Sequence, residues 1–123
     1  MAQVGVENGA SILLVEHDQD LRETMQDVFE REGFVTLAVA TGQHAFDLVR
    51  TRTTPPGVIV VDVPVPMQGW DFLERVEQDP LLAQVPMVLL STLPLPFGPG
   101  PGRRALRKPF ALEALLDAVR AAT

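Results

Sequence analysis

The sequence predicts an α/β domain: a parallel sheet with helices packed on both faces. Ile12-Leu13-Leu14-Val15, Val58-Ile59-Val60-Val61 and Met87-Val88-Leu89-Leu90 are short, unbroken apolar runs, the habit of strands buried on both sides. Between these runs the apolar residues recur at helical spacing, so strand and helix alternate along the chain. Each run also stops abruptly in polar residues. In open α/β sheets the carboxyl ends of the strands are where ligands bind.

With 123 residues the chain has room for one compact domain that buries most of its apolar surface. Residues 1–10, with Gly5, Asn8, Gly9 and no sustained periodicity, read as a lead-in to a single domain over residues 11–123. A hydrophobic fraction of 46% excludes an extended disordered protein. The absence of cysteine excludes a disulfide framework and thiolate metal sites. No apolar run approaches the roughly 20 residues of a membrane span, and the first residues lack the basic start and long apolar core of a secretion signal. A cytoplasmic protein with no membrane partner is the expectation. A formal net charge of -6 argues against phosphate-driven nucleic-acid binding, which needs a basic face.

The elements follow in order. Ile12 to Val15 forms the first strand and ends in Glu16-His17-Asp18. Asp18 or Asp20 caps the next helix, whose inner face carries Leu21, Met25, Val28 and Phe29. Gly33 stands where a left-handed C-cap residue belongs. Phe34 to Ala40 is strand-like, and Thr41-Gly42 turns it into a second helix with Ala45, Phe46 and Val49 inward. Thr54-Pro55-Pro56-Gly57 breaks the chain before the central strand, which ends in Asp62. Val63-Pro64-Val65-Pro66 cannot be helical and makes a loop. Phe72, Leu73 and Val76 line a third helix, and the strand from Met87 to Leu90 delivers Ser91 and Thr92. From Pro94 to Gly102 there are four prolines and three glycines, a composition that forbids an ordinary helix. A Pro/Gly-rich connection is expected there in place of the alternation's fourth helix. Ala105-Leu106-Arg107 is the last strand, ending in Lys108-Pro109. The closing helix shows Leu112, Leu115, Leu116 and Val119 on one face. Arg103-Arg104 reads as a solvated basic pair.

The strand ends gather Glu16, His17, Asp18, Asp62, Ser91 and Lys108 at one edge. Crowded carboxylates repel one another unless a cation sits between them, and oxygen ligands without cysteine favour a hard ion such as Mg²⁺. An aspartate with a metal beside it, a hydroxyl on one side and a lysine on the other can accept a phosphoryl group. Metal and lysine offset charge on the transferring oxygens, and the hydroxyl donates to one of them.

Ile12-Leu13-Leu14-Val15-Glu16-His17-Asp18, Val61-Asp62, Leu90-Ser91 and Arg107-Lys108-Pro109-Phe110 together resemble the motifs of response-regulator receiver domains, over about residues 12–121. The resemblance implies a flavodoxin-like, doubly wound five-stranded parallel sheet of order 2-1-3-4-5. It also implies a non-enzymatic signalling role in a phosphorelay, with a histidine kinase or phosphotransfer protein as donor and a separate downstream protein as reader. By that resemblance Asp62 is the phosphoacceptor, and Ser91 and Lys108 contact the phosphoryl group, with a cis bond to Pro109. Glu16, Asp62 and the backbone carbonyl of Pro64 hold Mg²⁺, with Asp18 as a further candidate ligand.

The departures bear on function. His17 stands where the family has a second acid, and imidazole suits transition metals better than Mg²⁺. The loop after Asp62 is one residue short, and Ala105 replaces the switch aromatic. These changes and the missing helix motivate an alternative, a pseudo-receiver that binds partners independently of phosphorylation. A flavin site is disfavoured because Glu16-His17-Asp18 would repel phosphate at the first helix. A dehalogenase-type phosphatase would want an acid where Pro64 stands.

Overall fold

The computed structural model describes residues 11–52, 54–63, 68–92 and 102–122. The strands are β1 (Ser11–Val15), β2 (Val35–Val39), β3 (Val58–Asp62), β4 (Met87–Ser91) and β5 (Arg103–Arg107). They form one parallel sheet in the order β2-β1-β3-β4-β5. The helices among the described residues are α1 (Gln19–Arg31), α2 (Gly42–Val49), α3 (Gln68–Gln78) and α4 (Leu112–Ala122), with a 3₁₀ turn at Leu82–Gln84. This is the doubly wound α/β architecture anticipated from the sequence. The lead-in over residues 1–10, the carbonyl of Pro64 and the Pro/Gly-rich segment from 93 to 101 lie outside the described residues.

Period-two alternation along the buried strands divides the core into two layers. Leu13, Ile59, Val61, Met87 and Leu89 face α2, α3 and the 3₁₀ turn, where Phe46, Phe72, Leu73 and Leu82 cover them. Ile12, Leu14, Val58, Val60, Val88 and Leu90 face α1 and α4, where Met25, Phe29, Leu115 and Val119 cover them. β3 and β4 are buried at every position, as central strands with helices above and below must be.

Local chemistry sets the helix ends. Of the two candidate caps, Asp18 closes α1: its Oδ1 accepts the Leu21 N–H at 3.0 Å. Gly33 follows the helix at φ 94°, a left-handed conformation that glycine adopts without steric cost. Thr41 caps α2 by accepting the His44 N–H at 3.1 Å.

Three expectations need correction. β5 starts at Arg103, not Ala105, because parallel pairing with β4 begins at Met87↔Arg103. Arg103 is not a solvated residue: its side chain is 17% exposed and pairs with Glu77 of α3 at 3.0 Å. Leu112 opens α4 and is 38% exposed, so the apolar stripe engages the sheet only from Leu115 onward.

Candidate functional site

The register of the sheet brings the polar strand ends together. Val15 of β1 pairs with Val61 of β3, which sets Glu16 beside Asp62. Asp62 in turn pairs with Leu90, next to Ser91 at the end of β4. Ser91 pairs with Arg107, and the Lys108 N–H donates to the Ser91 carbonyl at 2.7 Å, extending the ladder by one bond. The Lys108–Pro109 peptide is cis. Glu16, Asp62 and Ser91 are buried polar groups at this edge of a largely apolar interior.

Lys108 is the hub. Its Nζ donates to Glu16 Oε1 at 2.9 Å and Oε2 at 3.1 Å, and lies 3.1 Å from Asp62 Oδ1. The Glu16 side chain is 0% exposed, that of Asp62 6% and that of Lys108 13%, so these contacts act in a poorly solvated setting. Burial pushes the Glu16 carboxyl above the ordinary carboxylate range. Hydrogen bonds from Lys108 and from the Asp18 N–H pull it back, and the Asp62 carboxylate adds to the rise. Burial alone would lower the Lys108 ammonium, but its hydrogen bonds to Glu16 and Asp62 outweigh that and leave it above the ordinary lysine value.

His17 completes the cluster. Its Nδ1 contacts Asp62 Oδ2 and lies 3.5 Å from Glu16 Oε2. Asp18 does not join: its side chain caps α1, while its N–H donates to Glu16 Oε2 at 3.1 Å. Glu16, His17 and Asp62 can each offer one donor atom within 4.8 Å of the others. Two buried carboxylates and one imidazole nitrogen suit a divalent cation, although the mixed donor set is not the all-oxygen shell that Mg²⁺ prefers.

The sequence places His17 at this edge without its contact to Asp62, and it does not single out Arg22. The approach of His17 to Asp62 follows from the adjacency of β1 and β3, which makes residues just beyond Val15 and Val61 neighbours. Arg22, one turn into α1, donates from Nη1 to the Glu16 carbonyl at 2.9 Å and braces the end of β1. Its signal was its place six residues after Glu16, on a helix leading away from the same strand. Ala105, in the switch-aromatic position, is exposed.

The family model of the response regulator receiver domain matches residues 12–94. The chain belongs to the receiver-domain family of response regulators. This receiver is 34% identical over 119 residues to the C4-dicarboxylate transport transcriptional regulatory protein DctD of Pseudomonas aeruginosa, a match covering 90% of the receiver and 24% of that protein. It is 31% identical over 67 residues to sporulation initiation phosphotransferase F of Bacillus subtilis, covering 54% of the receiver and 52% of that protein. The receiver thus matches about a quarter of the first relative and about half of the second. Among solved structures, the signal receiver domain of a signal transduction histidine kinase from Syntrophus aciditrophicus superposes with a TM-score of 0.78 at 26% identity, over 91% of this receiver and 88% of that chain. Membership places the receiver in two-component phosphorelay signalling. Among the described residues no helix is long and apolar enough to cross a membrane.

Proposed function

We infer that this receiver accepts a phosphoryl group on Asp62 from the phosphohistidine of a histidine kinase or phosphotransfer protein, and signals through protein–protein contacts as a cytoplasmic domain over residues 11–123. The observation that carries this is Lys108 Nζ at 3.1 Å from Asp62 Oδ1, at the carboxyl edge of the sheet with Ser91 on the neighbouring strand. The Bacillus relative's name, a phosphotransferase, supports the same chemistry.

In the transfer, an Asp62 oxygen attacks phosphorus while the P–N bond of the donor imidazole breaks. The bonding pair leaves with the imidazole nitrogen, and an acyl phosphate forms on Asp62. Lys108, already charged and buried beside Asp62, turns one N–H toward a phosphoryl oxygen at little cost in reorganisation. The Ser91 hydroxyl donates to another. Glu16 stays acceptor to Lys108 and holds the ammonium in place. Glu16 and Asp62 would hold a divalent cation, which would supply neutralising charge to the transferring oxygens.

Incubation with acetyl phosphate and divalent cation, followed by intact mass measurement, tests the assignment. The wild type gains one phosphoryl group and Asp62→Asn gains none. No gain in the wild type, or an equal gain in the variant, overturns it.

Two observations favour a second reading, the pseudo-receiver: His17 covers Asp62 Oδ2, and Ala105 leaves no aromatic to swing on β5. On that reading, binding to a partner is indifferent to Mg²⁺ and survives Asp62→Ala. A large loss of affinity in that variant counts against it.

A further inference from the structure

We propose that Glu16, His17 and Asp62 form a binding site for a divalent transition ion such as Zn²⁺, preferred there over Mg²⁺. The proposal shares the cation position of the proposed function and does not require Asp62 to be phosphorylated.

The donor set is mixed, and that decides its preference. Two of the three side chains are carboxylates at 0% and 6% exposure, while the third donor is an imidazole nitrogen arriving from the residue after Glu16. His17 Nδ1 faces both carboxylates at once, touching Asp62 Oδ2 and standing 3.5 Å from Glu16 Oε2. Lys108 holds Glu16 Oε1 at 2.9 Å and Asp62 Oδ1 at 3.1 Å, so Oε2 and Oδ2 are the oxygens turned toward the imidazole, with Lys108 also 3.1 Å from Oε2. The remaining acid on this loop is committed elsewhere, since Asp18 Oδ1 takes the Leu21 N–H at the start of α1. No all-oxygen triad of side chains therefore forms among the described residues.

Ion chemistry turns this arrangement into selectivity. Mg²⁺ demands near-octahedral oxygen ligands and gives up water reluctantly. Imidazole binds Zn²⁺, Co²⁺ and Ni²⁺ much better than it binds Mg²⁺, and Zn²⁺ accepts histidine nitrogen and carboxylate oxygen in one shell. The supporting contacts a metal site needs are present: Lys108 and the Asp18 N–H orient Glu16, and Lys108 orients Asp62. The His17 side chain is 63% exposed, so an ion can enter from solvent and keep water in its open positions.

Calorimetric titration of the whole chain with ZnCl₂ and, separately, MgCl₂ tests this in wild type, His17→Ala, His17→Asp and His44→Ala. A Co²⁺ titration followed by visible absorbance reports directly on nitrogen ligation. His17→Ala should weaken Zn²⁺ by about tenfold or more and alter the Co²⁺ spectrum. His17→Asp should strengthen Mg²⁺ and narrow the gap between the two ions. His44→Ala should match the wild type. Unchanged Zn²⁺ affinity and Co²⁺ spectrum in His17→Ala, or Zn²⁺ lost only in His44→Ala, overturns the proposal. His17 is exposed, so its variants keep the fold. Failure of Asp62 to gain mass from acetyl phosphate leaves these affinities as they are, so the two assignments fail separately.

Discussion

Glu16 illustrates how a site residue can work against the fold that holds it. Its side chain is 0% exposed, and burial is the largest cause of its raised carboxyl pKa. A carboxyl raised above its unfolded value favours folding most at low pH, where it is protonated in both states. That contribution is lost as pH rises through the folded value, so at neutral pH the ionised group burdens the native state. Gln keeps an oxygen to accept from Lys108 and sheds the charge. In chelator, Glu16→Gln is therefore expected to match or exceed the wild-type thermal midpoint at pH 7, with its relative advantage shrinking as pH falls through the raised folded value and gone below roughly 4.3, the free glutamate value. The same variant should lose cation affinity. A midpoint well below wild type at pH 7 would show that the Lys108 ion pair outweighs burial. The meeting of Glu16, Asp62, Ser91 and Lys108 was legible in sequence because the first three each follow an apolar run and Lys108 follows the short last strand, and strand order then brings their ends to one edge. The contact of His17 with Asp62 was not legible, because side-chain direction two residues beyond a strand depends on where the helix begins, and Asp18 fixes that.

The elements were readable wherever a period or a breaker was strong. The runs of β1, β3 and β4 and the caps at Asp18, Thr41 and Gly33 are local signals that tertiary packing did not override. β5 was underestimated because Arg103 and Arg104 do not look like strand residues; pairing with β4 and the Arg103–Glu77 contact compensate for weak intrinsic preference. A less obvious constraint lies where α2 meets α3. A Cβ added at Gly42 would stand 3.0 Å from both Cβ and Cδ1 of Phe72, itself buried and tilted against Phe46 at a centroid distance of 5.2 Å. Gly42→Ala should therefore cost about 1 kcal/mol or more in urea denaturation despite alanine's better helix propensity, since a packed ring has little freedom to give way. A stabilised variant would mean that α3 can shift outward without loss.

At the scale of the whole molecule, one sheet separates two apolar layers, and adjacent residues of β4 serve different ones. Leu89 belongs to the layer under α2 and α3, and Leu90 to the layer under α1 and α4; both are 0% exposed. Leu89→Ala and Leu90→Ala should each lower stability by about 3 kcal/mol. Each variant should unfold in a single transition that coincides by fluorescence and circular dichroism, because the shared sheet couples the layers. Separate transitions would show two independently melting halves. The edges of that sheet are chemically unequal: β5 leads into Lys108, whereas β2 supplies none of the clustered side chains and carries Val35 at 51% exposure. Since the chain has no cysteine, a single thiol introduced as Val35→Cys would be its only one. A fluorophore attached there would report the molecule's rotation and encounters from the edge that bears no chemistry, leaving the opposite half of the sheet unlabelled.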